Sequence, residues 1–123
     1  MSTGLLTLLS VTMSALAQLT LKWGMGAPGV QAAIRSEAGI GPVLLGAATS
    51  FGVILGLALY GASAVIWLLV LARWDLSKAY PFVGLGFVLT AALAVWLLGE
   101  RVTLDRVLGT VLVLGGVLLV SRS

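Results

Sequence analysis

The charged residues of this chain leave four long stretches with no charge at all: 1–21, 38–72, 79–99 and 107–121. A helix needs roughly 20 apolar residues to cross a hydrocarbon core, where every backbone N–H and C=O must be satisfied inside the segment. The charge-free stretches therefore predict an all-α integral membrane protein. Hydrophobic residues make up 60% of the sequence and charged residues only 9%, against about 25% charged in a soluble domain. A sphere of this size cannot hide so much apolar surface from water, so much of it must face lipid.

The spans are placed at about 5–22, 51–72, 79–98 and 106–120, in one transmembrane domain covering 1–123. A connection containing Gly and Pro follows the first span, from Trp23 to about Gly41, and holds Arg35 and Glu37. The stretch 38–72 would be about 52 Å long if helical throughout at 1.5 Å per residue, more than the bilayer needs. Pro42 suits a first helical position, and Thr49 and Ser50 can cap a later start. Residues 42–49 are therefore read as a short interfacial or lead-in helix. Arg73, Trp74, Asp75, Ser77 and Lys78 form the next loop. Pro81, near the start of the third span, is tolerated in a first turn. The fourth span is short, and Arg106 and Arg122 can snorkel to opposite interfaces. Such tight connections predict that spans two, three and four are antiparallel neighbours.

Basic residues are nearly balanced between the two faces, with Arg73, Lys78 and Arg122 on one and Lys22, Arg35, Arg101 and Arg106 on the other. The positive-inside rule needs an imbalance. Either a partner or the insertion machinery sets the orientation, or the chain inserts both ways and pairs antiparallel. The basic residues are scattered at span ends, whereas a nucleic-acid binder would cluster them. No basic residue precedes the first apolar stretch, so a cleaved signal peptide is not expected.

The chain has no cysteine and no histidine, which removes thiolate chemistry, the commonest metal ligands and the commonest general base. No nucleophile–base pair is available, so the chain is not read as an enzyme and no cofactor or metal is expected.

The first span carries a polar stripe, Thr7, Ser10, Ser14, Gln18 and Lys22, on one helical face. In lipid these groups turn inward toward partners. Thr7 and Ser10 are read as interhelical hydrogen-bond glue. Gln18 and Lys22 can instead line a cavity for an anionic headgroup, the alternative for Lys22 being simple snorkelling. Tyr60 and Trp67 are seven apart on one face of the second span, as lipid-belt anchors or as the wall of a pocket. Gly52-x-x-x-Gly56 matches a small-residue packing motif that chance alone often produces in a glycine-rich membrane chain. Tyr80 offers a hydroxyl beside Pro81. Gly84 and Gly86 form either a hinge for alternating access or a close-packing site. Gly109 and Gly116 lay a small-residue stripe along the fourth span, expected to be a dimer interface. All four acids, Glu37, Asp75, Glu100 and Asp105, lie in loops or at span ends. A proton-coupled cation exporter needs a buried acid within the membrane, which weighs against that chemistry.

Ser14-x-x-x-Gln18-x-x-x-Lys22, Trp67-Leu68-Leu69-Val70-Leu71, Ala79-Tyr80-Pro81, Gly99-Glu100-Arg101 and Gly109-x6-Gly116-Val117 occur in that order. The chain resembles the four-helix, EamA-like branch of the drug/metabolite transporter superfamily. Within it, the chain is similar to the small paired subunits that flip undecaprenyl-phosphate-linked aminoarabinose across the bacterial inner membrane. The likeness covers nearly everything except 23–50, which is longer than usual. Small multidrug resistance proteins are similar cousins, but their essential first-span glutamate falls at Ser14.

The resemblance implies a homodimer or heterodimer with another four-helix subunit, moving a polyprenyl-phosphate-linked sugar between leaflets of the inner membrane. The implied substrate-binding residues are Ser14, Gln18, Lys22, Tyr60, Trp67 and Tyr80. Lys22 would hold the phosphate, Gln18 and Tyr80 would bond phosphate or sugar, and Ser14 would line the same groove. Two alternatives are an exporter of lipophilic cations or metabolites, and a non-transporting accessory subunit of a membrane glycosyltransferase.

Overall fold

The computed structural model describes residues 2–122. Four apolar helical segments are long enough to cross a membrane: Thr3–Met25, Phe51–Arg73, Leu76–Leu98 and Leu104–Arg122. Helix α1 (Thr3–Met25) begins at Ser2, whose hydroxyl accepts the Leu5 N–H at 3.2 Å, and ends where the Gly26 N–H turns back to the Trp23 carbonyl. Two short helices follow, α2 (Pro28–Arg35) and α3 (Ile40–Thr49), before α4 (Phe51–Arg73). The second crossing then runs through Trp74 and Asp75 into α5 (Leu76–Ala79), a 3-10 turn at Tyr80–Phe82, and α6 (Val83–Leu98). Gly99, left-handed with φ +67°, closes α6 and lets the Glu100 N–H reach the Ala94 carbonyl. Helix α7 (Leu104–Arg122) completes the chain, its first turn fixed by the Thr103 hydroxyl accepting the Arg106 N–H.

Three local expectations are corrected. The connection after α1 contains a further helix, α2, which Pro28 opens at its first position and which buries Val30. Helix α3 starts at Ile40, so Pro42 lies inside its first turn rather than at its first position. The loop expected over Arg73–Lys78 shrinks to Trp74 and Asp75, because the Asp75 carbonyl accepts the N–H groups of Lys78 and Ala79 and starts a helix there. Lys78 lies over the Trp74 ring at 4.5 Å, and Trp74 in turn packs on Phe82.

The order of the crossings in space is α4, α1, α6, α7. Helix α1 packs along α4 and also against α6, α7 packs on α6, and α4 and α6 scarcely touch. The second and third spans are therefore not neighbours, although two residues join them. The reason lies in side-chain size. Gly24 meets Gly52, Leu21 meets Gly56, and Ser10 meets Ser63, so α1 and α4 run antiparallel at close range. Gly86 receives Val11 from α1, and Gly84 receives Val117 from α7. Small residues at these contacts let the first span fit between the second and the third.

The buried set reflects the same logic. It consists of Val, Ala, Ser, Thr and Gly, and among the described residues no Leu, Ile, Phe or Trp is buried. Leu104, Trp96 and Leu112 are more than 70% exposed and point outward. In a bilayer, lipid solvates large apolar side chains as well as another helix does, so tight backbone approach and hydrogen bonds hold the helices together.

Candidate substrate cleft

The splay between α4 and α6 leaves a cleft of about 510 Å³ floored by α1. Ser10, Ser14 and Gln18 enter from α1, and Tyr60, Ser63 and Trp67 from α4. Tyr80 of the 3-10 turn and Val83, Gly86, Phe87 and Thr90 of α6 form the third wall. Each helix contributes one face: the α4 residues recur at three and four, and Tyr80, Val83, Phe87 and Thr90 at three, four and three.

Two hydrogen bonds organise the floor. The Ser10 hydroxyl, buried, donates to the Ser63 carbonyl at 2.8 Å and ties α1 to α4. The Ser63 hydroxyl donates to the Tyr60 carbonyl of its own helix at 2.7 Å. Thr7 behaves differently from the interhelical role expected for it, donating to the Thr3 carbonyl one turn back in α1. Ser14 is half-buried, Gln18 is exposed to the cleft, and Tyr60 and Tyr80 are 43% and 62% exposed. The cleft thus presents hydroxyls, one amide and aromatic rings, and among the described residues no charged side chain lines it. That combination suits a sugar: polar groups bond its hydroxyls, and ring faces pack on its C–H surface.

Five of the six residues named from the sequence, Ser14, Gln18, Tyr60, Trp67 and Tyr80, share this cleft. Lys22 does not. It borders a second cavity of about 810 Å³ at the far end of α1, with Trp23, Ser50, Leu98 and Glu100. Lys22 is one turn beyond Gln18, so the two cavities follow one another along α1. Ser50 fixes this end by donating to the Gly24 carbonyl at 2.9 Å, rather than capping α4 with its side chain.

The two glycines of the third span diverge. Gly86 borders the cleft, where an added methyl would lie 3.2 Å from Val11 Cγ1, while Gly84 turns to α7 and meets Val117. Both occupy regular helix. Gly109 borders a separate wedge between α6 and α7, and Gly116 has no neighbouring atom within 4 Å of where a methyl would sit. Among the described residues no group of acids, histidines or cysteines is placed to hold a metal.

Three polar residues of the cleft were not assigned to a site from the sequence: Ser10, Ser63 and Thr90. Ser63 lies three residues after Tyr60, and Thr90 falls on the helical face that Tyr80 begins, so their spacing carried the signal.

A family model described as the EamA-like transporter family matches residues 2–122. A protein of Sodalis glossinidius named "Probable 4-amino-4-deoxy-L-arabinose-phosphoundecaprenol flippase subunit ArnF" is 36% identical over 118 residues, 92% of this chain and 85% of that protein. A Photorhabdus laumondii protein of the same name is 35% identical over 119 residues, 94% of this chain and 93% of its own. A Pseudomonas syringae pv. syringae protein named as the corresponding probable subunit ArnE is 36% identical over 100 residues, 81% of this chain and 78% of its own. No solved structure matches. This multi-pass membrane chain belongs to the EamA-like transporter family.

Proposed function

We propose that the protein is a subunit of a flippase that carries the polar head of a polyprenyl-phosphate-linked sugar, such as 4-amino-4-deoxy-L-arabinose on undecaprenyl phosphate, across the bacterial inner membrane. The observation that carries this reading is the cleft's lateral opening. It lies between two crossings that scarcely touch, with hydroxyls, an amide and aromatic rings along its walls. A lipid-linked sugar needs such a path, because its tail remains in the bilayer while its head requires polar partners. The names of the relatives support the substrate class, and both named subunit types match this chain.

In this reading Gln18, Tyr60 and Tyr80 bond the sugar, Ser14 lines its path, and Trp67 stacks on its face. Lys22 takes the phosphate at the cavity next along α1, as a point charge on a flexible stem. Gly86 gives α6 freedom to move against α1. The protein works with a second four-helix subunit, through the face of α7 that carries Gly116, with Gly109 at its edge. The α2–α3 hairpin rests in the interface, where Ile40 and Leu45, 70% and 67% exposed, meet lipid.

The test is reconstitution of the chain, alone and with a second four-helix subunit, into vesicles carrying the aminosugar lipid in one leaflet. A membrane-impermeant amine reagent then reports which leaflet holds the headgroup. Appearance of headgroup in the other leaflet is expected. Headgroup confined to its starting leaflet in both preparations, with uptake of a lipophilic cation instead, overturns the proposal.

A further inference from the structure

Helices α6 and α7 meet where Val117 fills the space beside Gly84, and they part toward the loop that joins them. Between them lies a wedge of about 780 Å³, on the opposite side of α6 from α1 and its floor of the cleft. Its interior is apolar and lined with small residues, among them Ala91, Ala92 and Gly109. The one uncharged polar side chain there, Thr110, is already engaged, donating to the Arg106 carbonyl at 2.7 Å. The interior therefore offers nothing to a sugar.

The wide end is different. Arg101, Arg106 and Glu100 stand at it. Arg106 Nη1 donates to the Arg101 carbonyl at 3.1 Å, which folds one guanidinium back over the loop beside the other residue. A guanidinium carries five donors, so the pair keeps most of its donors for an anion. Asp105, in the first turn of α7, does not line the wedge. Two arginines against one carboxylate leave the mouth positive.

We propose that this wedge is a resident site for an anionic glycerophospholipid. One acyl chain lies along Ala91, Ala92 and Gly109, and the phosphate is held by Arg101 and Arg106. Shape and charge together select this occupant. A second copy's helix is about 10–12 Å across with its side chains, too wide for a slot between two helices that touch at one end. A flexible acyl chain narrows with the wedge, and its headgroup reaches the interface where the arginines stand. A guanidinium grips phosphate through two parallel N–H···O bonds. The lipid is structural, and the site is independent of whether the cleft carries a sugar.

The experiment is native mass spectrometry of the purified protein, equilibrated in detergent with equal amounts of phosphatidylglycerol and phosphatidylcholine. Phosphatidylglycerol is expected to remain bound in preference. Retention should weaken about tenfold or more in Arg101→Gln/Arg106→Gln, given roughly 1 kcal/mol per basic residue facing anionic lipid. Arg101→Lys/Arg106→Lys, which keeps the charge but loses the paired donors, should retain more than the glutamine pair and less than the wild type. Ala92→Phe should displace it by filling the wedge. Equal retention of both lipids, or retention unchanged in both the glutamine pair and Ala92→Phe, overturns the proposal. So does displacement of phosphatidylglycerol by undecaprenyl phosphate, which would make the wedge a cargo site.

Discussion

Gly24 and Gly52 face each other backbone to backbone: a methyl group added to Gly52 would lie 2.6 Å from the Gly24 Cα. The nearest neighbours of that methyl are the Trp23 ring and main-chain atoms of Gly24, and the main-chain atoms cannot rotate aside. The Ser50 bond to the Gly24 carbonyl locks the same point.

Gly52→Ala is therefore predicted to destabilise the protein by about 1–3 kcal/mol, the usual cost of overpacking. Gly61→Ala, on the same helix but with open space around its Cα, should change stability by no more than about 0.5 kcal/mol. Thermal unfolding in detergent micelles compares the two. Equal stabilities would contradict the close approach of α1 and α4.

Ser10→Ala removes the hydroxyl that crosses from α1 to the Ser63 carbonyl. Hydrogen bonds between membrane helices are worth about 0.6 kcal/mol on average and up to about 1.7, so a loss in that range is expected. Thr7→Val should cost less, since the Thr7 hydroxyl bonds only its own helix. Chemical denaturation from mixed micelles checks the ordering, and a reversal would show that Ser10 does not hold the helices together.

Tyr80→Phe deletes a hydroxyl from the cleft wall without changing the ring. If that hydroxyl bonds the sugar, headgroup transfer in vesicles should fall about fivefold, the equivalent of roughly 1 kcal/mol. Gln18→Leu should fall further, since it leaves an apolar side chain in the path. Transfer rates unchanged in both variants would exclude this face from the pathway.

Lys22 stands in the cavity adjoining the cleft, so Lys22→Gln is predicted to weaken binding of the phosphate-bearing lipid about tenfold while Lys22→Arg largely preserves it. The attraction should also fade with added salt, as expected for a charge near water. A titration by intrinsic tryptophan fluorescence at two ionic strengths reads both effects. Equal affinity for the wild type and Lys22→Gln would leave Lys22 as an interfacial anchor.

Gly116 has no atom within 4 Å of a would-be methyl, and large apolar residues surround it on the outer face of α7. Gly116→Leu should leave the isolated subunit folded and weaken pairing. Cross-linking in membranes measures this, and a dimer fraction equal to the wild type would place the interface elsewhere.

The crossings were readable because charge is so costly within a bilayer that its absence marks them almost by itself. Periodicity put Ser14 and Gln18 on one face of α1 and Tyr60 and Trp67 on one face of α4, while Tyr80 was named for its hydroxyl beside Pro81 and from the family resemblance; all five line one cleft. The arrangement of the helices was not readable in the same way. Loop length suggested that α4 and α6 would be neighbours, but the fit of Gly52 and Gly56 against Gly24 and Leu21 draws α1 between them. A glycine pair announces that a backbone can come close, and says nothing about which backbone will. Helix α2 escaped notice because a stretch of eight residues that opens Pro28-Gly29 reads as a connection and is too short to cross a bilayer. Lys22 is separated from the cleft by a single turn, a distance that residue spacing alone does not resolve into two cavities.

The central place of α1 has a consequence for how the protein is made. Ser10 finds its partner, the Ser63 carbonyl, only when α4 has been synthesised, and α2 and α3 lie between the two in the chain. At about 5–20 residues per second, the first span waits in the translocon or the bilayer for seconds with its polar face open. Assembly then proceeds outward from it, α4 on one flank, α6 on the other and α7 last. A lesion in α1 would be felt during biogenesis, as a chain handed to proteolysis before any transport could be measured.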